Sequence, residues 1–203
     1  MEPLEIATAH GPARAHVQAH DHPRAALVLG HGAGGGVTAR DLVTAGRAAA
    51  TVGCSVAFVE QPYRVAGRRS PAPAGHLDTA WTEVLAALRA GPFDGLPVVT
   101  GGRSSGARVA CRTFAATEAI GVICLAFPLQ PPRRSAPPPS RLPELEAVAV
   151  PVLVVQGERD PFGIPPEGPQ RQVVRVAGDH GLKSDLAAVQ AAVAGWLGEL
   201  LAG

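Results

Sequence analysis

Apolar residues along this chain alternate between two spacings. Short continuous runs, Ala25-Ala26-Leu27-Val28-Leu29, Cys54 to Glu60, Pro97 to Thr100, Ile120 to Phe127 and Val152 to Gln156, predict strands covered on both faces, as in a parallel sheet. Between them lie segments of helical spacing. One runs from about Thr38 to Val52, with Thr38 and Asp41 spaced like a capping box. A second carries Leu77, Trp81, Val84, Leu85 and Leu88, a third ends near Ala116, and the last shows Leu186, Val189, Val193, Trp196, Leu197 and Leu200 on one face. Residues 4–18, two weakly alternating segments around Gly11-Pro12, predict an antiparallel hairpin at a sheet edge, and Gln172 to Val176 predicts a late strand.

Strand and helix in repeated alternation predict a doubly wound, mostly parallel α/β sheet in one domain over residues 1–203, without internal repeats. The run Leu129 to Pro139 is too rich in proline to continue a helix or a central strand, so a loop or short extended flap is expected there. The stretch from Leu129 to Leu145 is too short for a helical cap domain, which predicts an open site.

Composition narrows the partners. With a net charge of +1 and 17% charged residues, the chain has neither a nucleic-acid footprint nor a polybasic membrane anchor, and a small molecule or a protein is the expected partner. No apolar run approaches the roughly 18 residues that span a bilayer, and Met1-Glu2-Pro3-Leu4-Glu5 lacks the basic head of a signal peptide, so a cytoplasmic location is expected. Cys54, Cys111 and Cys124 are odd in number, irregularly spaced and set in apolar surroundings, which predicts core fillers rather than disulfides or a metal site.

The chemistry centres on Gly102-Arg103-Ser104-Ser105-Gly106, a Gly-x-Ser-x-Gly frame between a strand and a helix. Such a turn is a nucleophile elbow, with glycines where strand and helix approach each other, and it makes Ser104 the candidate nucleophile. A serine needs a base to take its proton and an acid to orient that base. Gly157-Glu158-Arg159-Asp160 follows the strand ending at Gln156, and Ala177-Gly178-Asp179-His180 follows the strand ending at Val176. We take Asp160, rather than Glu158, as the orienting acid and His180 as the base.

For the oxyanion the candidate donors are the backbone amides of Ser105 and Ala33, with Gly34 the alternate to Ala33. His31, within Gly30-His31-Gly32-Ala33-Gly34, is expected to brace that loop. Tyr63 and Arg64, in the loop from Gln61 to Pro71, are candidate substrate-binding residues, and Arg68, Arg69 and Arg103 either meet an anionic substrate group or pair with carboxylates. A rival pattern shares the first loop: Gly30, Gly32 and Gly35, with Glu60 beyond the next strand, also fit a dinucleotide-binding fingerprint. That alternative leaves Ser104, Asp160 and His180 without a role.

Taken together, Gly30-His31-Gly32-Ala33-Gly34, Pro62-Tyr63-Arg64 with Gly67-Arg68-Arg69, Gly101-Gly102-Arg103-Ser104-Ser105-Gly106, Gly157-Glu158-Arg159-Asp160 and Asp179-His180 resemble the small α/β-hydrolases grouped with testis-expressed protein 30 and the third subunit of the non-specific-lethal complex, whose core is dienelactone-hydrolase-like. The resemblance covers nearly the whole chain. It implies a minimal α/β-hydrolase fold without a cap, with Ser104, His180 and Asp160 as the triad. The expected substrate is a small acyl compound, an ester or thioester, and no metal or organic cofactor is required. Some larger members are scaffolds, so a silent scaffold binding a protein partner is the competing class. Ser105 departs from the pattern, which places a larger residue such as methionine there.

Overall fold

Strands buried along their whole length form the middle of the molecule, and half-exposed strands form its margins. In the computed structural model, which describes residues 3–132 and 138–202, eight strands build one sheet. They are β1 (Leu4–Ile6), β2 (Ala13–Gln18), β3 (Ala25–Gly30), β4 (Cys54–Glu60), β5 (Val98–Arg103), β6 (Gly121–Leu125), β7 (Val152–Gly157) and β8 (Arg171–Val176). Their order is β1-β2-β4-β3-β5-β6-β7-β8. The first two strands pair antiparallel with each other and β2 pairs antiparallel with β4, whereas every later pairing is parallel. The expected edge hairpin and doubly wound, mostly parallel sheet are therefore what the chain forms.

Successive side chains of a strand point to opposite faces, and the apolar runs supply both. Leu27 and Leu29 of β3 meet Leu42 and Ala45 of helix α1 (Arg40–Thr51) in a core that extends to Val193 and Trp196 of the C-terminal helix. Ala26 and Val28, on the other face, belong to a second core with Trp81, Val84 and Leu85. Between β4 and β5 lie α2 (Pro62–Val65) and α3 (Ala74–Arg89); α4 (Ser105–Thr113) follows β5, α5 (Leu142–Glu146) precedes β7, and α6 (Leu186–Leu200) closes the chain. Among the described residues no helix is long and apolar enough to cross a membrane.

Parallel register brings the strand ends that matter to one rim. Gly30 of β3 lies beside Gly102 of β5, Arg103 beside Leu125 of β6, and Gly157 of β7 beside Val176 of β8. The loops carrying Ala33, Ser104, Asp160 and His180 thus leave the sheet at its carboxyl edge, where open α/β sheets hold their ligands.

Several local expectations are corrected. Helix α1 starts at Arg40 with Ala39 as its cap residue and no side-chain cap, so Thr38 and Asp41 form no capping box. Asp41 instead turns inward, 2% exposed, to an arginine. Strand β5 runs three residues past Thr100, and β6 stops at Leu125 because Ala126 takes a positive φ of 49°. The short helix α2 interrupts the Gln61 to Pro71 stretch read as loop, and α5 forms beyond the proline-rich run, each with a proline in its first turn, where the missing N–H costs nothing. Arg133 to Pro137, inside the expected flap, lie outside the described residues. Between β6 and β7 the described chain contains only the five-residue α5, and no helical cap.

Gly46, inside α1, faces the ring of Phe58, and a Cβ there would overlap the ring. Gly→Ala within a helix ordinarily stabilises. Here Gly46→Ala should instead destabilise, by about 1–3 kcal/mol of overpacking, read as a lower urea midpoint at unchanged m.

Candidate active site

The turn from β5 into α4 is forced tight by its neighbours. A Cβ on Gly102 would lie 2.5 Å from the Gly30 carbonyl oxygen, and a Cβ on Gly106 would overlap the same atom. Only glycine at both positions lets the end of β3 pass under the elbow. Ser104, between them, has φ 52° and ψ −109°, a left-handed conformation rare outside glycine, and its N–H donates to the Leu125 carbonyl at 2.9 Å. The strain aims its hydroxyl off the strand end toward the next loops.

There His180 Nε2 stands 3.0 Å from Ser104 Oγ, and His180 Nδ1 stands 2.8 Å from Asp160 Oδ2. The Asp160 side chain is fully buried. Its Oδ1 accepts the Phe162 N–H at 2.9 Å, and its Oδ2 accepts the Gln156 amide at 2.8 Å as well as the imidazole. An ionised carboxylate only accepts, so His180 donates from Nδ1 and turns the lone pair of Nε2 toward the serine hydroxyl. This is the tautomer a general base requires. The Phe162 ring packs on the imidazole, centroids 4.4 Å apart. Of the alternatives, Glu158 is exposed, and Asp179 accepts the Gly181 N–H at 2.8 Å within its own turn.

The loop after β3 lies against the elbow, since a Cβ on Gly32 would sit 3.6 Å from Ser104 Cβ. His31, 3% exposed, braces it as expected: Nδ1 donates to the Gly32 carbonyl at 2.9 Å and Nε2 accepts the Gln61 N–H at 3.2 Å. Burial drives the His31 pKa below its usual 6.5, only partly offset by the Gly32 hydrogen bond, so the ring is neutral. Tyr63 donates its hydroxyl to the Ala33 carbonyl at 2.9 Å. Among the described residues the Ala33 N–H meets no protein acceptor. Ser105 opens α4, where first-turn amides lack intrahelical partners. The Ala33 and Ser105 amides are thus the two backbone donors proposed for a developing oxyanion.

The remaining candidates divide. Tyr63 is buried and touches the site through Ala33, whereas Arg64 is half-exposed, its guanidinium near the Arg68 carbonyl at 3.4 Å. Arg68 and Arg69 are exposed. Arg103 pairs with a carboxylate, that of Asp41 at 2.7 Å. Glu60, the would-be ribose ligand of the dinucleotide alternative, faces His16 at 3.4 Å.

Sequence reasoning missed Gln156, Phe162 and Asp41. Gln156 left a signal, a polar residue closing an apolar strand, here 0% exposed with its amide also near the Phe127 and Gly163 carbonyls. Asp41 and Phe162 left none.

Residues 23–185 match the model of a family described as Alpha/beta hydrolase domain. No curated protein sequence matches the chain. Solved structures share its fold at low identity. Est1E from Butyrivibrio proteoclasticus is 14% identical with a TM-score of 0.80, all of both chains being covered. XC6422 from Xanthomonas campestris, described as an α/β serine hydrolase without lid, is 22% identical over 96% of this chain and 94% of its own, with a TM-score of 0.71. Dienelactone hydrolase from Anabaena variabilis is 14% identical over 97% and 98% of the two chains, with a TM-score of 0.73.

Because the folded protein resists protonating His31, the unfolded chain binds an extra proton between the lowered pKa and 6.5. This contribution to stability is whole above pH 6.5 and is lost as pH falls from there through the folded pKa. Urea midpoints taken downward from about pH 7.5 should therefore fall in the wild type and fall less steeply in His31→Gln.

Proposed function

The chain belongs to the α/β-hydrolase family, and we propose that it is a serine hydrolase cleaving carboxylic esters or thioesters through an acyl-enzyme. The observation that carries this reading is the unbroken line from the buried Asp160 carboxylate through the imidazole of His180 to the hydroxyl of Ser104, at 2.8 and 3.0 Å. Ser104 Oγ attacks the acyl carbon while His180 Nε2 takes the hydroxyl proton. The carbonyl oxygen becomes an oxyanion held by the Ala33 and Ser105 amides. As the bond to the alcohol or thiol breaks, His180 returns that proton to the leaving group. Water, deprotonated by the same nitrogen, then attacks the acyl carbon, and His180 hands that proton to Ser104 Oγ as the acyl bond breaks and the acid leaves. Asp160 keeps Nδ1 protonated and stabilises the imidazolium formed in each half-reaction.

A capless fold leaves this rim open, which favours bulky acyl groups. A groove of about 240 Å³ lies between Leu129–Pro132 and the Pro161–Gly163 loop, lined by Phe162, whose ring packs on the imidazole. Arg64, half-exposed at the same rim, is proposed to meet the polar end of the substrate, and Tyr63 to act through Ala33. Within the family, the five motifs favour the branch of testis-expressed protein 30 and the non-specific-lethal complex subunit. Free, buried Cys54, Cys111 and Cys124 fit a cytoplasmic site of action.

Ser104→Ala should lower turnover of a chromogenic ester by on the order of 10⁴–10⁶, as for triads acting as a unit. A fluorophosphonate probe should label the wild type stoichiometrically, and neither Ser104→Ala nor His180→Ala. A folded wild type that takes no label and hydrolyses none of an ester panel from acetate to decanoate would sink the reading in favour of a silent scaffold.

A further inference from the structure

The segments that make the site come from distant parts of the chain, and they meet at one guanidinium. Arg103, next to the proposed nucleophile, forms an ion pair from Nε to Asp41 Oδ2 at 2.7 Å, and its Nη2 donates to the backbone carbonyl of His180 at 2.9 Å. The remaining terminal nitrogen lies beneath the loop after β3, where a Cβ on Gly32 would stand 3.0 Å from Nη1. The elbow, the histidine loop, the oxyanion loop and the first turn of α1 thus share a single side chain.

We propose that Arg103 is a positioning residue that sets His180 over Ser104, with Asp41 fixing the direction of its fork; this rests on the serine-hydrolase reading. Three features carry it. Asp160 fixes the imidazole through Nδ1 but does not fix the backbone from which the ring hangs, and that backbone is flanked by Gly178, at φ 124°, and Gly181. A guanidinium is a rigid plane, so drawing its Nε edge onto the Asp41 carboxylate as an ion pair limits where Nη2 can point. Asp41 is 2% exposed in the first turn of α1, whose Leu42 and Ala45 pack on the sheet. Burial raises the Asp41 pKa despite the nearby arginine.

Lysine separates positioning from charge. Arg103→Lys keeps a cation for Asp41 but lacks the planar fork that spans carboxylate and carbonyl together. The double variant Arg103→Gln with Asp41→Asn removes both charges and serves as the control against an unpaired buried carboxylate. Each is measured by thermal unfolding, by fluorophosphonate labelling resolved into saturation constant and maximal rate, and by the low-field proton resonance of His180 Nδ1–H. Both variants should fold, and the maximal labelling rate should fall about 10- to 100-fold with the saturation constant little changed, the cost of a displacement near 1 Å. The Nδ1–H resonance should move or broaden. Labelling within about threefold of wild type together with an unchanged resonance overturns the proposal. Loss of the fold in both variants overturns it too, by assigning Arg103 to folding. Failure of the wild type to label sinks the hydrolase reading, and the resonance alone then decides the role of Arg103.

Discussion

The close passage of β3 beneath the turn from β5 into α4 is the constraint on which the site depends. The Gly30 carbonyl occupies the space that a side chain on Gly102 or Gly106 would need. Ser104, caught between them, is left at positive φ, and its amide is tied to Leu125 across the β5–β6 pair. Packing from both neighbouring strands over-determines a conformation that the isolated turn would leave. Strain of this kind, roughly 1–3 kcal/mol per residue, persists only because the central strands are buried at nearly every position.

Several of the buried polar groups around that turn are paired with one another. The Ala33 carbonyl is occupied by Tyr63, His31 is occupied at both nitrogens, and Asp160 accepts from Gln156, Phe162 and His180. These contacts satisfy groups whose burial would otherwise cost about 1–3 kcal/mol each. What remains is a ring nitrogen of His180 facing the Ser104 hydroxyl at 3.0 Å. Preorganisation is therefore distributed through the supporting residues and not confined to the three side chains that meet.

Much of the architecture was legible in the residues because it follows from local periodicity. Continuous apolar runs such as Ala25 to Leu29 are buried on both faces and lie inside the parallel sheet, whereas the weakly alternating segments around Gly11 form its half-exposed antiparallel edge. Local rules failed where a tertiary partner competed. Thr38 and Asp41 have capping-box spacing, yet Asp41 is taken by Arg103, 62 positions away by subtraction of the two numbers, and Ala39 takes the cap position instead. Strand β5 outran its apolar stretch because Gly101 and Gly102 find partners on both sides, in Leu29 and Gly30 of β3 and in Ile123 and Cys124 of β6, and Arg103 on one side, in Leu125.

By itself the sequence determined the alternation of strands and helices, the glycine-framed elbow and the chain order of Ser104, Asp160 and His180, since each depends on residues a few positions apart. Only the tertiary structure decided that Gln156 holds the Asp160 carboxylate, that burial keeps the His31 ring neutral, that Phe162 packs on the imidazole, and that Arg103 joins Asp41 to the His180 carbonyl. Periodicity tells which face of an element is buried. It says nothing of which polar atoms, brought together from distant segments, lie within hydrogen-bonding distance, because that depends on the twist and register of the assembled sheet.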